Sequence, residues 1–162
     1  MWSFNEIPFF FTFFLIFIST VFFSFLFSIY LGLYGIFIIN LISLFLFFLS
    51  LLFFINSIFI EQVVYNINIC KWFYLNYNFK VNITFLIDTV SFSFMLLTTT
   101  IGLFVYIYAF CYFRYEPLVE RFLLYLLSFV ISMLILVSSG NLILLFLGWE
   151  LIGLTSFLLI NF

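Results

Sequence analysis

The chain has 162 residues, of which 69% are hydrophobic and only 6% are charged, and its net charge is -2. With a mean hydropathy of +1.45, this composition is typical of an integral membrane protein. The negative balance gives no basic surface for nucleic acid, and the lack of histidine removes the commonest metal ligand. We therefore expect neither a nucleic-acid partner nor a bound metal.

Apolar runs predict an all-α integral membrane fold with about five transmembrane helices. A spanning helix needs about 20 apolar residues. The segment 1–60 holds helices 1 and 2, with a turn predicted at Gly32 and Gly35, and the segment 87–162 holds helices 3 to 5. The runs lie at about 8–30, 36–59, 89–112, 118–138 and 142–161.

The segment 61–86, between helices 2 and 3, has a different pattern. Asparagines at 66, 68, 76, 78 and 82 alternate with apolar residues, which is the two-residue period of a half-buried strand. We predict a β-hairpin with its turn near Tyr74–Asn76, and an irregular loop is the alternative. Because an open sheet edge cannot lie in lipid, the hairpin must be extramembrane.

Asp88 stands where the third helix begins, in the sequence Asp88-Thr-Val-Ser91. A carboxylate at this position can accept hydrogen bonds from the free N–H groups of the first turn. It also lies at the predicted membrane interface, where a charge is tolerated at modest cost. We therefore predict that Asp88 is the interfacial cap of helix 3.

Glu150 is a carboxylate inside the apolar run from Asn141 to Asn161. If the helix begins near Asn141, nine steps of about 1.5 Å place Glu150 about 13 Å deep in a hydrocarbon core of about 30 Å. An ionised side chain there costs about 3 kcal/mol on insertion scales. It must therefore be protonated, paired or beside water, and each of these states points to proton handling.

The segment 125–160 resembles subunit 5 of proton-pumping NADH:ubiquinone oxidoreductase, respiratory complex I, an antiporter-like family. Asp88-x-x-Ser91 resembles the start of the family's third helix, whereas helices 1 and 2 match only in hydropathy and in the hairpin that follows. Leu151 stands where the family commonly has glycine, as in the sister subunit 4, and we expect it to crowd a neighbouring helix. The matching motif residues are Asn141, Gly148, Trp149, Glu150, Gly153 and Ser156.

The resemblance implies that Glu150 takes the place of a glutamate that pairs with a lysine of a later helix during proton translocation. The chain would be a non-redox subunit, not catalytic alone, and would bind no cofactor, because NADH, FMN, the iron–sulfur clusters and ubiquinone lie elsewhere in the complex. It would be a multi-pass protein of the mitochondrial inner membrane. The abundance of phenylalanine, with 31 residues, is typical of an AT-rich organellar gene and favours organelle encoding.

No lysine or arginine lies inside a predicted span, and a relay across about 30 Å needs several groups at steps of about 3 Å. We therefore predict the N-terminal portion of a split subunit 5, completed by a second polypeptide that carries the remaining helices and the partner lysine. Further expected partners are an adjacent antiporter-like subunit, accessory subunits and membrane lipid. The alternatives are a purely structural subunit of the same complex, a subunit 4-like paralogue and a self-sufficient transporter.

Overall fold

Five helices and one β-hairpin form the fold in the computed structural model, which describes residues 6–76, 79–113, 116 and 118–162. The helical membrane fold and the hairpin between the second and third helices are both confirmed. In chain order the elements are α1 (Glu6–Leu26), α2 (Ser28–Phe59), β1 (Tyr65–Asn76), β2 (Phe79–Ile87), α3 (Thr89–Tyr112), α4 (Val119–Val137) and α5 (Leu142–Ile160).

Four helices in the described part of the chain are long and apolar enough to cross a membrane. They are the Tyr30–Phe59 part of α2, together with α3, α4 and α5. The apolar part of α1, Phe11–Leu26, is shorter, but the whole helix has 21 residues. At about 1.5 Å per residue, a helix of that size matches a hydrocarbon core of about 30 Å.

Of the two glycines at which the sequence predicts the turn between helices 1 and 2, only Gly32 breaks the helix, and Gly35 is helical within α2. The φ of 62° and ψ of 173° at Gly32 interrupt the helical backbone near the start of α2. Glycine adopts this conformation at little cost because it has no Cβ. The apolar run from α1 into α2 is therefore divided into two helices rather than one long one.

The hairpin pairs β1 and β2 in antiparallel fashion from Tyr65–Ile87 to Asn76–Phe79. The predicted turn near Tyr74–Asn76 is wrong, because β1 continues to Asn76 and the connection falls at residues 77 and 78, outside the described residues. Three register shifts in the longer strand explain the difference. Each bulge adds one unpaired residue to β1, which lets its 12 residues pair with the 9 of β2.

The outer edge of β2 is tied to the turn between α4 and α5. An antiparallel bridge joins Phe85 to Ser139. The N–H of Leu86 donates to the carbonyl of Ser138 at 2.8 Å, and the N–H of Gly140 donates to the carbonyl of Thr84 at 2.8 Å. The extramembrane hairpin therefore has a direct backbone connection to the start of α5.

Aromatic side chains have two roles in the helical bundle. Phe17 of α1 stacks on Phe47 of α2 with ring centroids 5.8 Å apart, and Phe37 of α2 stacks on Phe110 of α3 at 3.8 Å. Other phenylalanines face outward, and Phe53 is 73% exposed. The first group fixes how α1, α2 and α3 pack, while the second provides the apolar surface that a bilayer requires.

Candidate functional site

Glu150 is the ninth of the 19 residues of α5, so it lies near the middle of the helix. Its side chain is exposed at the surface of the chain. The sequence predicts the depth of this carboxylate, and the structure adds that the rest of the described chain leaves it uncovered. Whatever satisfies Glu150 inside a membrane must therefore approach from outside these helices.

Glu150 belongs to a continuous exposed stripe on α5, which we call the Glu150 face. Each member is three or four positions from another member, so all of them lie on one side of the helix. Only 17% of the α5 span is buried within the chain, against 44% of the α4 span. The Glu150 face consists of Phe146, Trp149, Glu150, Gly153, Leu154 and Phe157.

Two motif residues give the Glu150 face an uneven surface. Trp149 is 62% exposed, and its ring meets Phe146 edge-on with centroids 6.2 Å apart. At Gly153 a Cβ would find no atom within 4 Å. The face is therefore raised at Trp149 and open at Gly153, where another helix backbone could come close.

The opposite side of α5 packs on α4 through Gly148. A Cβ at this position would lie 2.8 Å from Cα and 2.9 Å from N of Leu136. Only glycine allows the two backbones to approach so closely. Because Gly148 is two residues from Glu150, this contact points the carboxylate away from α4.

Hydroxyl groups also line the α4–α5 contact, where Ser132 and Thr155 meet. The Oγ of Ser132 and the Oγ1 of Thr155 are 3.5 Å apart. Ser132 donates to the carbonyl of Phe129 at 2.8 Å, and Thr155 donates to that of Leu151 at 2.9 Å. Each hydroxyl has a single hydrogen, so both donors are already used within their own helices and the contact serves packing.

Ser156 and Leu151 lie beside this packed side. The hydroxyl of Ser156 donates to the carbonyl of Gly153 at 2.9 Å, within α5. Leu151 lines a groove of about 250 Å³ between α1, α4 and α5. Leu151 therefore faces a groove between helices of this chain rather than the Glu150 face, and its crowding of a neighbouring helix stays a prediction.

Asn141 links α5 to the hairpin. It occupies the N-cap position of α5, yet its side chain makes no capping hydrogen bond. Instead, its Nδ2 donates to the carbonyl of Asn82 in β2 at 2.5 Å. The side chain is thus used between elements rather than within its own helix.

Asp88 caps α3. Its carboxylate accepts from the N–H of Ser91 at 2.6 Å, and the Oγ of Ser91 accepts from the N–H of Asp88 at 2.8 Å. This reciprocal pair is a capping box. The hydrogen bond from Ser91 lowers the pKa of the Asp88 carboxyl below its ordinary value, because it stabilises the ionised form.

The structure contains a buried polar cluster that the sequence patterns did not predict. The Nδ2 of Asn40 in α2 donates to the Oγ of Ser24 in α1 at 2.9 Å, and both side chains are fully buried. Tyr106 of α3 is also fully buried beside Asn40, and its hydroxyl donates to the carbonyl of Ile36 in α2 at 3.4 Å. The available signal was Asn40 itself, an amide inside the apolar run of helix 2, which must find partners in a membrane interior.

Basic and metal-binding groups are scarce around Glu150. Of the four basic residues, Lys71 and Lys80 are in the hairpin, Arg114 is in the link before α4, and Arg121 is in the first turn of α4. The described residues contain no group of His, Cys, Asp and Glu side chains that could hold a metal ion. The site is a single carboxylate without a cation from its own helix.

The chain is similar in sequence to known proteins of one enzyme complex. The family model described as NADH-Ubiquinone oxidoreductase (complex I), chain 5 N-terminus, matches residues 72–123. NADH-ubiquinone oxidoreductase chain 5 of Paramecium tetraurelia is 48% identical over 143 residues, which cover 88% of this chain and 25% of the relative. The same chain of Acanthamoeba castellanii is 42% identical over 103 residues, covering 64% of this chain and 15% of the relative.

A bacterial protein is similar over much of the chain as well. NADH-quinone oxidoreductase subunit L of Buchnera aphidicola is 32% identical over 121 residues, which cover 75% of this chain and 19% of the relative. The chain therefore spans a quarter or less of the length of these three relatives.

Proposed function

Because this chain belongs to the family of chain 5 of NADH:ubiquinone oxidoreductase, complex I, we propose that it forms part of the membrane arm and contributes Glu150 to proton translocation. The observation that carries the proposal is an uncovered carboxylate in the middle of a 19-residue apolar helix. Such a group is expensive in hydrocarbon unless it has a partner or a proton. Proton exchange is the chemistry that a lone carboxylate can perform.

The proposed mechanism is electrostatic. An ammonium group about 4 Å from a carboxylate, at an effective dielectric constant of about 20, favours the ionised form by about 4 kcal/mol, or about a thousandfold. When that cation moves away or loses its charge, an apolar environment favours the protonated acid instead. Movement of the cation therefore makes Glu150 release and take up a proton.

The cation is proposed to be a lysine of a second polypeptide that carries the remaining helices of subunit 5. Support comes from the Glu150 face, which no described helix covers, and from α1, α2, α3 and α5, which contain no basic residue. A helix laid on the Glu150 face would place its side chains within reach of the carboxylate.

The cellular setting is part of the same proposal. We place the chain in the mitochondrial inner membrane, encoded in the organelle, next to an antiporter-like subunit and accessory subunits. NADH, FMN, the iron–sulfur clusters and ubiquinone are bound by other subunits, so this chain takes no part in electron transfer. Its part in the enzyme is limited to the proton path.

Substitution of Glu150 tests the function. Glu150→Gln keeps the size and hydrogen-bonding capacity of the side chain but removes the titratable group, while Glu150→Asp keeps a carboxylate as the matched control. In the assembled complex, Glu150→Gln is expected to oxidise NADH with fewer protons moved per electron pair, and Glu150→Asp is expected to retain more of the proton transfer. An assembled Glu150→Gln complex with the full ratio would leave the chain a purely structural membrane subunit.

A further inference from the structure

We propose that the hairpin and the α4–α5 turn form a clasp that sets the depth and rotation of α5, and that Asn141 and Gly140 are its positioning residues for Glu150. The clasp consists of Asn82, Thr84, Leu86, Ser138, Gly140 and Asn141, which meet through backbone and side-chain hydrogen bonds. The inference rests on the proposed role of Glu150. It gives the extramembrane hairpin a function inside the membrane.

The backbone bonds fix the register of the clasp. Leu86 N–H to Ser138 O and Gly140 N–H to Thr84 O, both 2.8 Å, flank the bridge between Phe85 and Ser139. A slip of one residue along a strand is a shift of about 3.3 Å and would break both bonds. The turn can therefore occupy one position along β2, and the start of α5 is held at one height relative to the hairpin.

Gly140 makes this approach possible. A Cβ there would lie 2.7 Å from Oγ1 and 2.9 Å from the carbonyl oxygen of Thr84. The second contact is with backbone, so a change of the threonine rotamer would not relieve it. Any side chain at position 140 must push the turn away from β2.

Asn141 shows that the hairpin, rather than the helix, is the partner of this turn. Asparagine at an N-cap normally accepts from the first free N–H groups of its helix. Here it makes no such bond and donates to the carbonyl of Asn82 at 2.5 Å. The side chain thus joins the first residue before α5 to β2.

The clasp acts on Glu150 because α5 is a rigid rod between them. Nine residues separate Asn141 from Glu150, a rise of about 13 Å. The contact of Gly148 with Leu136 holds the rotation of α5 against α4. The clasp sets the height of α5 at its N-terminal end, and the Gly148 contact sets its rotation next to Glu150. The carboxylate is therefore presented to the partner helix at one position.

Asn141→Asp separates positioning from helix stability. Aspartate is as good an N-cap as asparagine and its charge suits a helix N-terminus, so the start of α5 itself is not weakened. It cannot donate to Asn82, and its charge faces that carbonyl. The matched control is Ser139→Ala in the same turn, where the lost hydroxyl donates only to Leu136 at 2.8 Å and the backbone bridge remains.

The measurement is the proton-to-electron ratio of assembled complex and its dependence on pH, with assembly followed separately on native gels. We expect Asn141→Asp and Gly140→Ala to lower the ratio, or to displace its pH dependence, relative to Ser139→Ala. The positioning role would be overturned if Asn141→Asp and Gly140→Ala only reduced the amount of assembled complex. In that case their proton-to-electron ratio and its pH dependence would equal those of Ser139→Ala. If Glu150→Gln keeps the full proton-to-electron ratio, the proposed function itself fails. If Glu150→Gln lowers the ratio but Asn141→Asp and Gly140→Ala keep it in full, only the positioning inference fails.

Discussion

Asp88 makes the stability of the first turn of α3 depend on pH. Hydrogen bonding from Ser91 holds the pKa of this carboxyl below its ordinary value of 3.8. A lowered pKa in the folded state means that the ionised cap stabilises the protein above that ordinary value, and that the stabilisation is lost as the pH falls through the folded-state pKa. We expect Asp88→Ala to lower the free energy of unfolding by about 1 kcal/mol at neutral pH.

Asp88→Asn is the control for the charge. Asparagine accepts the same hydrogen bond from the N–H of Ser91 but does not titrate, so most of the cap should remain. Thermal unfolding in detergent micelles at about pH 7 and about pH 3 should show a smaller acid-induced loss for Asp88→Asn than for the natural protein. An equal loss in both would assign the acid sensitivity to other carboxyl groups.

Gly148 determines how closely α4 and α5 can pack. In Gly148→Ala the new methyl group would lie within 2.9 Å of three atoms of Leu136, two of them backbone atoms, so the helices must separate. Overpacking of this kind typically costs about 1–3 kcal/mol. We expect a loss of that size in the unfolding free energy of the chain in micelles.

Gly153→Ala is the matched control in the same helix, five residues further on. Its Cβ would meet no atom within 4 Å, and alanine favours a helix by up to about 1 kcal/mol over glycine. Gly153→Ala should therefore leave the isolated chain as stable as before, or slightly more so. Equal destabilisation by both substitutions would argue against the close α4–α5 contact.

At the level of elements, the sequence predicts the type of each element better than its details. Long apolar runs indicate the helices because about 20 residues are needed to cross a bilayer, and Gly32 indicates the break between α1 and α2. The alternating asparagines predict the hairpin, but not the bulges of β1. Bulges depend on cross-strand fit, so the two-residue period alone placed the turn too early.

The buried amide of Asn40 shows a second limit of sequence patterns. Its place in the apolar run of helix 2 implies a hydrogen-bonding partner, yet Ser24 is 16 residues away along the chain. Helix 2 has apolar residues on every side, so hydrophobic periodicity does not indicate which neighbouring helix faces Asn40. Only the packing of α1, α2 and α3 shows that Ser24 and Tyr106 complete the cluster.

For the molecule as a whole, the position of Glu150 along its helix was predictable and the direction of its side chain was not. Counting residues from Asn141 gives the distance of Glu150 along the helix axis, because the rise of a helix is constant. The direction depends on Gly148 and on the clasp at Gly140, which are contacts between segments distant in sequence. Apart from Glu150, Thr155 and Ser156, the side chains of α5 are apolar on every side, so no hydrophobic pattern distinguishes its packed side from its open side.

The open side of α5 leads to a prediction about the assembled complex. A photo-crosslinking amino acid at Phe157, an exposed member of the Glu150 face, should attach to a protein helix, because that face is proposed to be covered by the partner that brings the lysine. Mass spectrometry of the product should identify a polypeptide separate from this chain. The same label at Leu124, which is buried between the chain's own helices, should form only internal links.

The result at Phe157 distinguishes the arrangements that remain. Attachment to lipid alone would mean that Glu150 faces the bilayer, and the proposed proton site would lack its cation. A link to a later part of the same polypeptide would keep the proton site but remove the second chain. Adding Gly153→Leu should lower the yield of the crosslink from position 157, since a large side chain would fill the space where the partner helix is expected to approach α5. An unchanged crosslinking yield would mean that the partner helix crosses α5 at another position.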